Sequence, residues 1–477
     1  MSSPAASGAS ARGLSSRRLL AAVGALAVSI ATAGPCLAGP AGEGEPRPPP
    51  PEAPAEVAVA PAPPCDPLLV RRGCWTFKFG VFAGAQFVAE QEAFWGLSDA
   101  FAPTAAYEKD RTWGEFWAIP SVRATWTPGS CVEVYGGLAV AATGNLGRDL
   151  FEDGDDGRVS LENAFVGVKV VDPRTGWTID ASAGQQPYRL GTGMLIDLGA
   201  QNGDERGAVL VSPRRSWEWT GIVRASRGAL SADVFALDYN EIDDEDPDTT
   251  LLGGKVELRL SETPGDEYAG LAYVNALDST MPYIQAPLTI LEDGRDGTQT
   301  VSAYLRLRPA RCAVPGLYVG AELAYQWNDR IDLTAWAVSL EVGHQWTAAP
   351  LKPKLGYAFR RFSGDDPGTS GLERFDPLYY DGGVHAFASG SNAALAFYNT
   401  NVASHRLALS LAVSPRDTVN LGYWRVDAVE EDSPLQFGQG GRLQEIDGQL
   451  ALVSGVPTRH LSDDLYVEWV RVLTPNA

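Results

Sequence analysis

Trp75-Thr76-Phe77-Lys78-Phe79-Gly80-Val81-Phe82-Ala83-Gly84-Ala85-Gln86-Phe87-Val88-Ala89-Glu90 reads as one long strand. Trp75, Phe77, Phe79, Val81, Ala83, Ala85 and Phe87 form one face; Thr76, Lys78, Gly80, Gln86, Val88 and Glu90 form most of the other. Successive side chains of a strand point to opposite sides, so a period of two describes a sheet surface that is apolar on one side only. The alternation recurs to the end of the chain, and the connections alternate as well. Thr127-Pro128-Gly129-Ser130 and Ser414-Pro415-Arg416-Asp417 are tight, and longer stretches intervene between such turns. This pattern predicts an all-β fold, a transmembrane antiparallel up-and-down β-barrel with short periplasmic turns and long extracellular loops.

Strands are expected near 75–90, 113–127, 131–143, 158–171, 176–186, 215–226, 229–239, 251–261, 267–277, 299–309, 315–327, 333–347, 352–362, 404–414, 417–427 and 463–473. That makes sixteen, an even number that puts both termini in the periplasm. Stretches 393–402 and 443–453 are each long enough to hide another strand, so eighteen stands beside sixteen. Loop 363–403 could lie outside as a contact surface or fold inward as a constriction or lid.

The chain has 477 residues and a formal net charge of −21, which argues against a nucleic-acid partner held through its phosphates. After the N-terminal region, no apolar run is long enough for a membrane helix. Residues 1–38 read as a signal peptide: Arg12, Arg17 and Arg18 precede an apolar run from Leu19 to Ile30, with small-residue cleavage sites after it. Residues 39–74 are a Pro/Ala-rich periplasmic linker including Pro48-Pro49-Pro50-Pro51, a composition that stays extended and buries no core. The barrel spans 75–473. Cys65, Cys74, Cys131 and Cys312 all fall on the periplasmic side, where disulfides persist, and four cysteines allow three pairings.

Strand parity separates lipid from lumen. Trp217, Trp219 and Val223 are expected to face lipid, as are Leu317 through Trp327 and Trp336 through Trp346 at alternate positions. The aromatic strand ends fit interfacial girdles. The opposite parity carries Lys78, Arg123, Lys169, Arg224, Lys255, Arg259, Arg306, Arg308, Arg360 and Arg406, together with Glu133, Asp180, Glu218, Asp233, Glu257, Glu322, Glu341 and Glu468. Such a lumen could be a ladder of ion pairs stiffening the wall. It could equally be an arginine-rich constriction that draws anions through. Arg123, Lys169, Arg224, Arg259, Arg306, Arg308, Arg360, Glu322 and Glu341 are the candidate pore-lining residues. The acidic excess lies mostly in loops, at Asp153–Asp156, Asp243–Asp246, Asp365-Asp366 and Glu430–Asp432, where a solvated surface is expected.

No enzymatic constellation or cofactor site emerges, and no metal ligands with a recognisable spacing. Of His344, His385, His405 and His460, only His460-Leu461-Ser462 has the i, i+2 spacing that would put a base and a nucleophile on one strand face.

Three segments resemble the alginate-export family of outer-membrane proteins. Residues 161–197 include Leu161-Glu162-Asn163-Ala164-Phe165-Val166, Ala183-Gly184-Gln185-Gln186 and Gly191-Thr192-Gly193-Met194-Leu195-Ile196-Asp197. Residues 355–378 run from Leu355-Gly356-Tyr357-Ala358 through Ser363-Gly364-Asp365-Asp366 to Phe375-Asp376-Pro377-Leu378, and 407–424 lead through Ser414-Pro415 to Tyr423-Trp424. The resemblance implies an eighteen-stranded monomeric barrel exporting an acidic polysaccharide through a cationic constriction, with Arg360 as the arginine that carries over. It also implies outer-membrane lipid and periplasmic export proteins as partners. Gln185 stands where the family places an arginine. From the sequence, the expected function is an outer-membrane channel for an anionic solute or acidic polysaccharide, with a general porin or an envelope-anchoring barrel as alternatives.

Overall fold

A computed structural model describes residues 68–91, 110–149, 154–242, 246–263, 265–286, 289–309, 313–391, 397–433, 442–446, 449–453, 455–456 and 458–472. The first strands are β1 (Leu68–Arg72), β2 (Trp75–Glu90), β3 (Arg111–Trp126), β4 (Val132–Leu146), β5 (Gly157–Val171), β6 (Thr178–Pro187), β7 (Ser216–Arg227) and β8 (Leu230–Asp238). Next come β9 (Thr250–Arg259), β10 (Tyr268–Asp278), β11 (Tyr283–Gln285), β12 (Thr289–Leu291), β13 (Gln299–Leu307), β14 (Leu317–Asn328) and β15 (Leu333–Gln345). The remainder are β16 (Lys354–Phe362), β17 (Val402–Ala412), β18 (Asp417–Ala428), β19 (Arg442–Ile446), β20 (Gln449–Val453) and β21 (His460–Arg471).

The wall is an antiparallel meander in which each long strand pairs with the next. The register of β2 on β3 runs from Trp75↔Trp126 to Glu90↔Arg111. The sequence of pairs ends with β18 on β21, from Asp417↔Arg471 to Asp427↔His460. All sixteen expected strands are present. The eighteen-strand alternative is not realised among the described residues: 442–453 is a separate β19–β20 hairpin, and Val402 simply begins β17. Residues 68–72, inside the stretch read as linker, instead add β1 along the first five residues of β2. Among the described residue pairs none joins β2 to β21, so the wall keeps a seam there.

The outward rows are apolar and exposed, as parity predicts: Val81, Leu323, Tyr325, Trp336, Leu340 and Val342 are examples. Trp217 departs from this. It is fully buried, its indole Nε1 donates to the Tyr188 carbonyl at 3.2 Å, and its ring meets Tyr379 edge-on at 5.3 Å. The cause is a bulge: Gly184 pairs with Thr220 but Gln186 with Trp217, so β7 carries one residue more than β6. One extra residue inverts which face every side chain below it occupies. Gly184 itself sits at φ 118°, a conformation costly for any residue with a Cβ.

The core lies inside the barrel. Tyr188, Met194, Ile196 and Trp217 pack there with Phe362, Phe375, Tyr379 and Phe387. Six of these eight belong to connections 188–215 and 363–391, so both loops fold inward. They clasp each other through backbone bonds: Tyr379 N–H donates to Leu195 O at 3.0 Å, Asp197 N–H to Tyr379 O at 2.7 Å and Asp381 N–H to Gly193 O at 2.9 Å. Each also grips the wall. Glu162 of β5 takes Arg214 Nε at 3.1 Å and the Arg215 N–H at 2.8 Å, and Arg295 from the β12–β13 connection holds Asp376 at 2.8 Å. Asp365 is buried rather than solvated, accepting from the Glu373 N–H at 2.8 Å, and burial raises its carboxyl above the usual carboxylate range.

Candidate functional site

The inward loops leave a cavity of about 610 Å³ on the side of the barrel built by β13–β18 and β21. Thr192, His385, Ala386 and Phe387 roof it, and its lining reaches Lys352, Ala412, Thr418 and Arg471 at the short-turn end. Six lysines and arginines line it (Arg306, Lys352, Lys354, Arg360, Arg406 and Arg471) against two acids, Glu322 and Glu341. The excess is basic, although the whole chain is strongly acidic.

How these cations are held matters more than how many there are. Arg306 and Lys354 both lie over one ring, Tyr318, at 4.9 and 5.2 Å from its centroid. Arg406 lies over Trp424 at 5.0 Å and Arg360 over Phe387 at 5.0 Å. An aromatic face orients a cation without neutralising it. Glu341 reaches Arg306 only at 4.0 Å, and Glu322 is occupied by Ser302 Oγ at 2.7 Å and by Thr192 Oγ1. The Nε of Arg406 is buried with no hydrogen-bond partner among the described residues. Arg360 donates to the carbonyls of Ala388, at 2.7 Å, and Ala386, fastening the roof to β16.

The opposite wall is built differently. Arg224 makes a two-pronged bond to Asp233 at 2.9 and 3.0 Å, and Lys255 lies 3.9 Å from Asp233 and 3.6 Å from Glu257. Lys169 sits in register between Glu133 and Asp180. Here charges are matched in pairs. Arg123 lies over Tyr135 at 5.1 Å. Arg259 is exposed, donating to Gly228 O at 3.3 Å, and Arg308 pairs with Asp266.

Of the candidate pore-lining residues, the structure therefore brings Arg306, Arg360, Glu322 and Glu341 to one cavity and leaves Arg123, Lys169, Arg224, Arg259 and Arg308 outside it. Sequence reading omitted Lys352, Lys354, Arg471 and His385 from the candidate set. Lys354 shares the parity of Arg360, a signal that was present. His385 was not findable, since it reaches the cavity only because its loop turns inward; its Nε2 lies 2.9 Å from Glu468 of β21.

The His460–Ser462 pair does not form. A register shift places Val426 opposite Ser462 but Asp427 opposite His460. The two imidazole nitrogens face Asp427 and Asp463 at 3.0 and 2.9 Å, while Ser462 Oγ donates to Asp464. Cys74 and Cys131 carry free thiols, and Cys65 and Cys312 lie outside the described residues.

No family model and no curated protein matches the chain. Among solved structures it is similar to OmpF of Salmonella typhi in complex with daunomycin, at 10% identity and TM-score 0.45, covering 84% of this chain and 99% of that one. It is similar to OccK5 (OpdH) of Pseudomonas aeruginosa at 12% identity and TM-score 0.47, covering 83% and 98%. An anion-selective porin from Comamonas acidovorans aligns at 11% identity and TM-score 0.40, again over 83% and 98%. The barrel assignment rests on the chain's own strand pairing, which those alignments accompany.

Proposed function

We propose that the chain is an outer-membrane channel through which anionic solutes diffuse, with acidic polysaccharide as the favoured cargo. One observation carries this reading: six lysines and arginines surround the cavity against two carboxylates, and Arg306, Lys354 and Arg406 lie over the aromatic rings of Tyr318 and Trp424. Cations held this way keep their field directed into the lumen, and rings of arginine and lysine lower the barrier to anions. Several weak contacts along the wall let a polyanion leave as readily as it enters.

The inward loops favour a second reading, a general porin for small solutes. A cavity of about 610 Å³ accommodates a small molecule, and a polymer would need the roof at Thr192 and His385–Phe387 to swing aside. Single-channel conductance in planar bilayers, with reversal potentials under a salt gradient, separates the two. Anion selectivity with block by polyuronates supports the polysaccharide reading; anion selectivity without block supports the porin. Cation selectivity overturns the anionic reading.

A further inference from the structure

Four neighbouring strands change character at one level of their outward rows. On β16 the row Leu355, Tyr357, Phe359 ends in Arg361. On β17 and β18 Leu407 and Tyr423 give way to His405 and Arg425, and on β21 Leu465 gives way to Asp463. Backbone register sets Phe359 opposite His405, His405 opposite Arg425, and Arg425 opposite Asp463, so the change is aligned on β17, β18 and β21; Arg361, opposite Ala403, lies two residues further toward the long loops on β16. Below that level the rows are exposed and apolar, as at Tyr357, Leu407, Leu421 and Leu465. The adjacent strands β14 and β15 end instead in the aromatic residues Trp327 and Trp336. These cations thus lie on neighbouring strands, on the long-loop side of the apolar band.

Charge on the lipid-facing side is costly at mid-membrane and nearly free at the interface, so this level marks the headgroup layer. Within it Arg361 is placed but not paired: its guanidinium lies over Trp336 at 5.5 Å, and its Nε is buried with no hydrogen-bond partner among the described residues. His405 Nδ1 shares a hydrogen bond with the Tyr357 hydroxyl, 2.7 Å away, which leaves its other nitrogen on the ring's far side. Arg425 holds Asp427 through Nε at 3.1 Å and Nη2 at 3.5 Å, stands opposite Asp463 in register, and is half exposed. A guanidinium fork matches phosphate oxygens, and an aromatic neighbour stiffens it for that contact.

We propose that Arg361 and Arg425, with His405 between them, form a binding site for the phosphorylated headgroup of an outer-leaflet glycolipid of the lipid A class. The proposal rests on the membrane-channel reading, and specifically on the long-loop end facing the outer leaflet. The test is native mass spectrometry of the full chain in detergent, titrated with lipid A, with enzymatically dephosphorylated lipid A, and with lipid A in competition with inorganic phosphate. The expected result is that lipid A binds, that Arg361→Gln/Arg425→Gln weakens it at least tenfold, and that dephosphorylated lipid A binds no better to the wild type than lipid A does to that variant. Equal binding of both lipids, an unaffected double variant, or full displacement by millimolar inorganic phosphate overturns it. Heat-modifiable migration on gels shows whether the variant barrel is folded, and Arg361→Lys/Arg425→Lys, which keeps both charges, should lose less. Bilayer conductance reports on the channel reading separately: a conducting protein that ignores lipid A sinks this proposal alone.

Discussion

Gln326 of the wall and Asp376 of the inward loop hold each other by a reciprocal pair of bonds. Gln326 Nε2 donates to Asp376 O at 2.8 Å, and the Asp376 N–H donates to Gln326 Oε1 at 2.8 Å. The Asp376 carboxylate is thereby aimed at Arg295, 2.8 and 3.1 Å away, and at the Tyr283 hydroxyl, 2.7 Å away. All four groups are buried. A loop that sequence alone leaves free to point either way is pinned inside the barrel at this point.

Replacing Asp376 tests the pin. Asp376→Ala strands the buried Arg295 guanidinium without its counter-ion, a change worth about 3–5 kcal/mol for a buried pair. Hydrogen exchange should then rise across 363–391, and open-channel conductance should increase or flicker. Unchanged exchange in that segment would mean the loop is held elsewhere.

Charge reversal in the cavity tests selectivity. Arg406→Glu changes the local charge by two units, each worth about 2 kcal/mol to an ion about 8 Å away at an effective dielectric constant of about 20. The reversal potential should move toward cations. Arg224→Glu removes a cation already matched by Asp233 and should move it less.

Glu241, in the connection after β8, gives a pH signature. Both its carboxylate oxygens are buried without a hydrogen-bond partner among the described residues, and burial pushes its carboxyl up from the usual 4.5 to about 9. Between those values the folded loop keeps the proton that the opened loop releases, so its packing is strongest at low pH and weakens as pH rises through that window. Hydrogen exchange in 199–242 should accelerate beyond the intrinsic rate as pH rises through that window, from 4.5 to about 9. Glu241→Gln should remove the excess, and a wild-type profile identical to the variant's contradicts the assignment.

The bulge makes a separate prediction. Trp217→Ala empties a fully buried site and should cost about 3–5 kcal/mol, whereas Trp336→Ala, on the outer surface, should cost far less. Urea unfolding of the reconstituted barrel compares them. Similar losses would place Trp217 outside, where simple parity puts it.

The sixteen long strands were legible because alternation is local, though the choice against eighteen was not: a row such as Leu355, Tyr357, Phe359 declares its face without reference to any other part of the chain. Lys354 and Arg360 declare the opposite face by the same rule. Trp217 was misread because a bulge shifts parity without altering residue types, and its cause lies in how β6 pairs with β7 rather than in β7 itself.

The sequence by itself determined an antiparallel meander of sixteen to eighteen strands, the outward and inward rows and the mixed charge of the lumen, since each follows from a period of two along a single strand. Only the tertiary structure decided which of those charges are spent on each other. Arg224 meets Asp233 across one pair of strands, while Arg406 meets Trp424 across another, though both began as cations of the same parity. It also decided that residues 188–215 and 363–391 turn inward, because their burial depends on contacts between segments nearly two hundred residues apart, such as Leu195 with Tyr379.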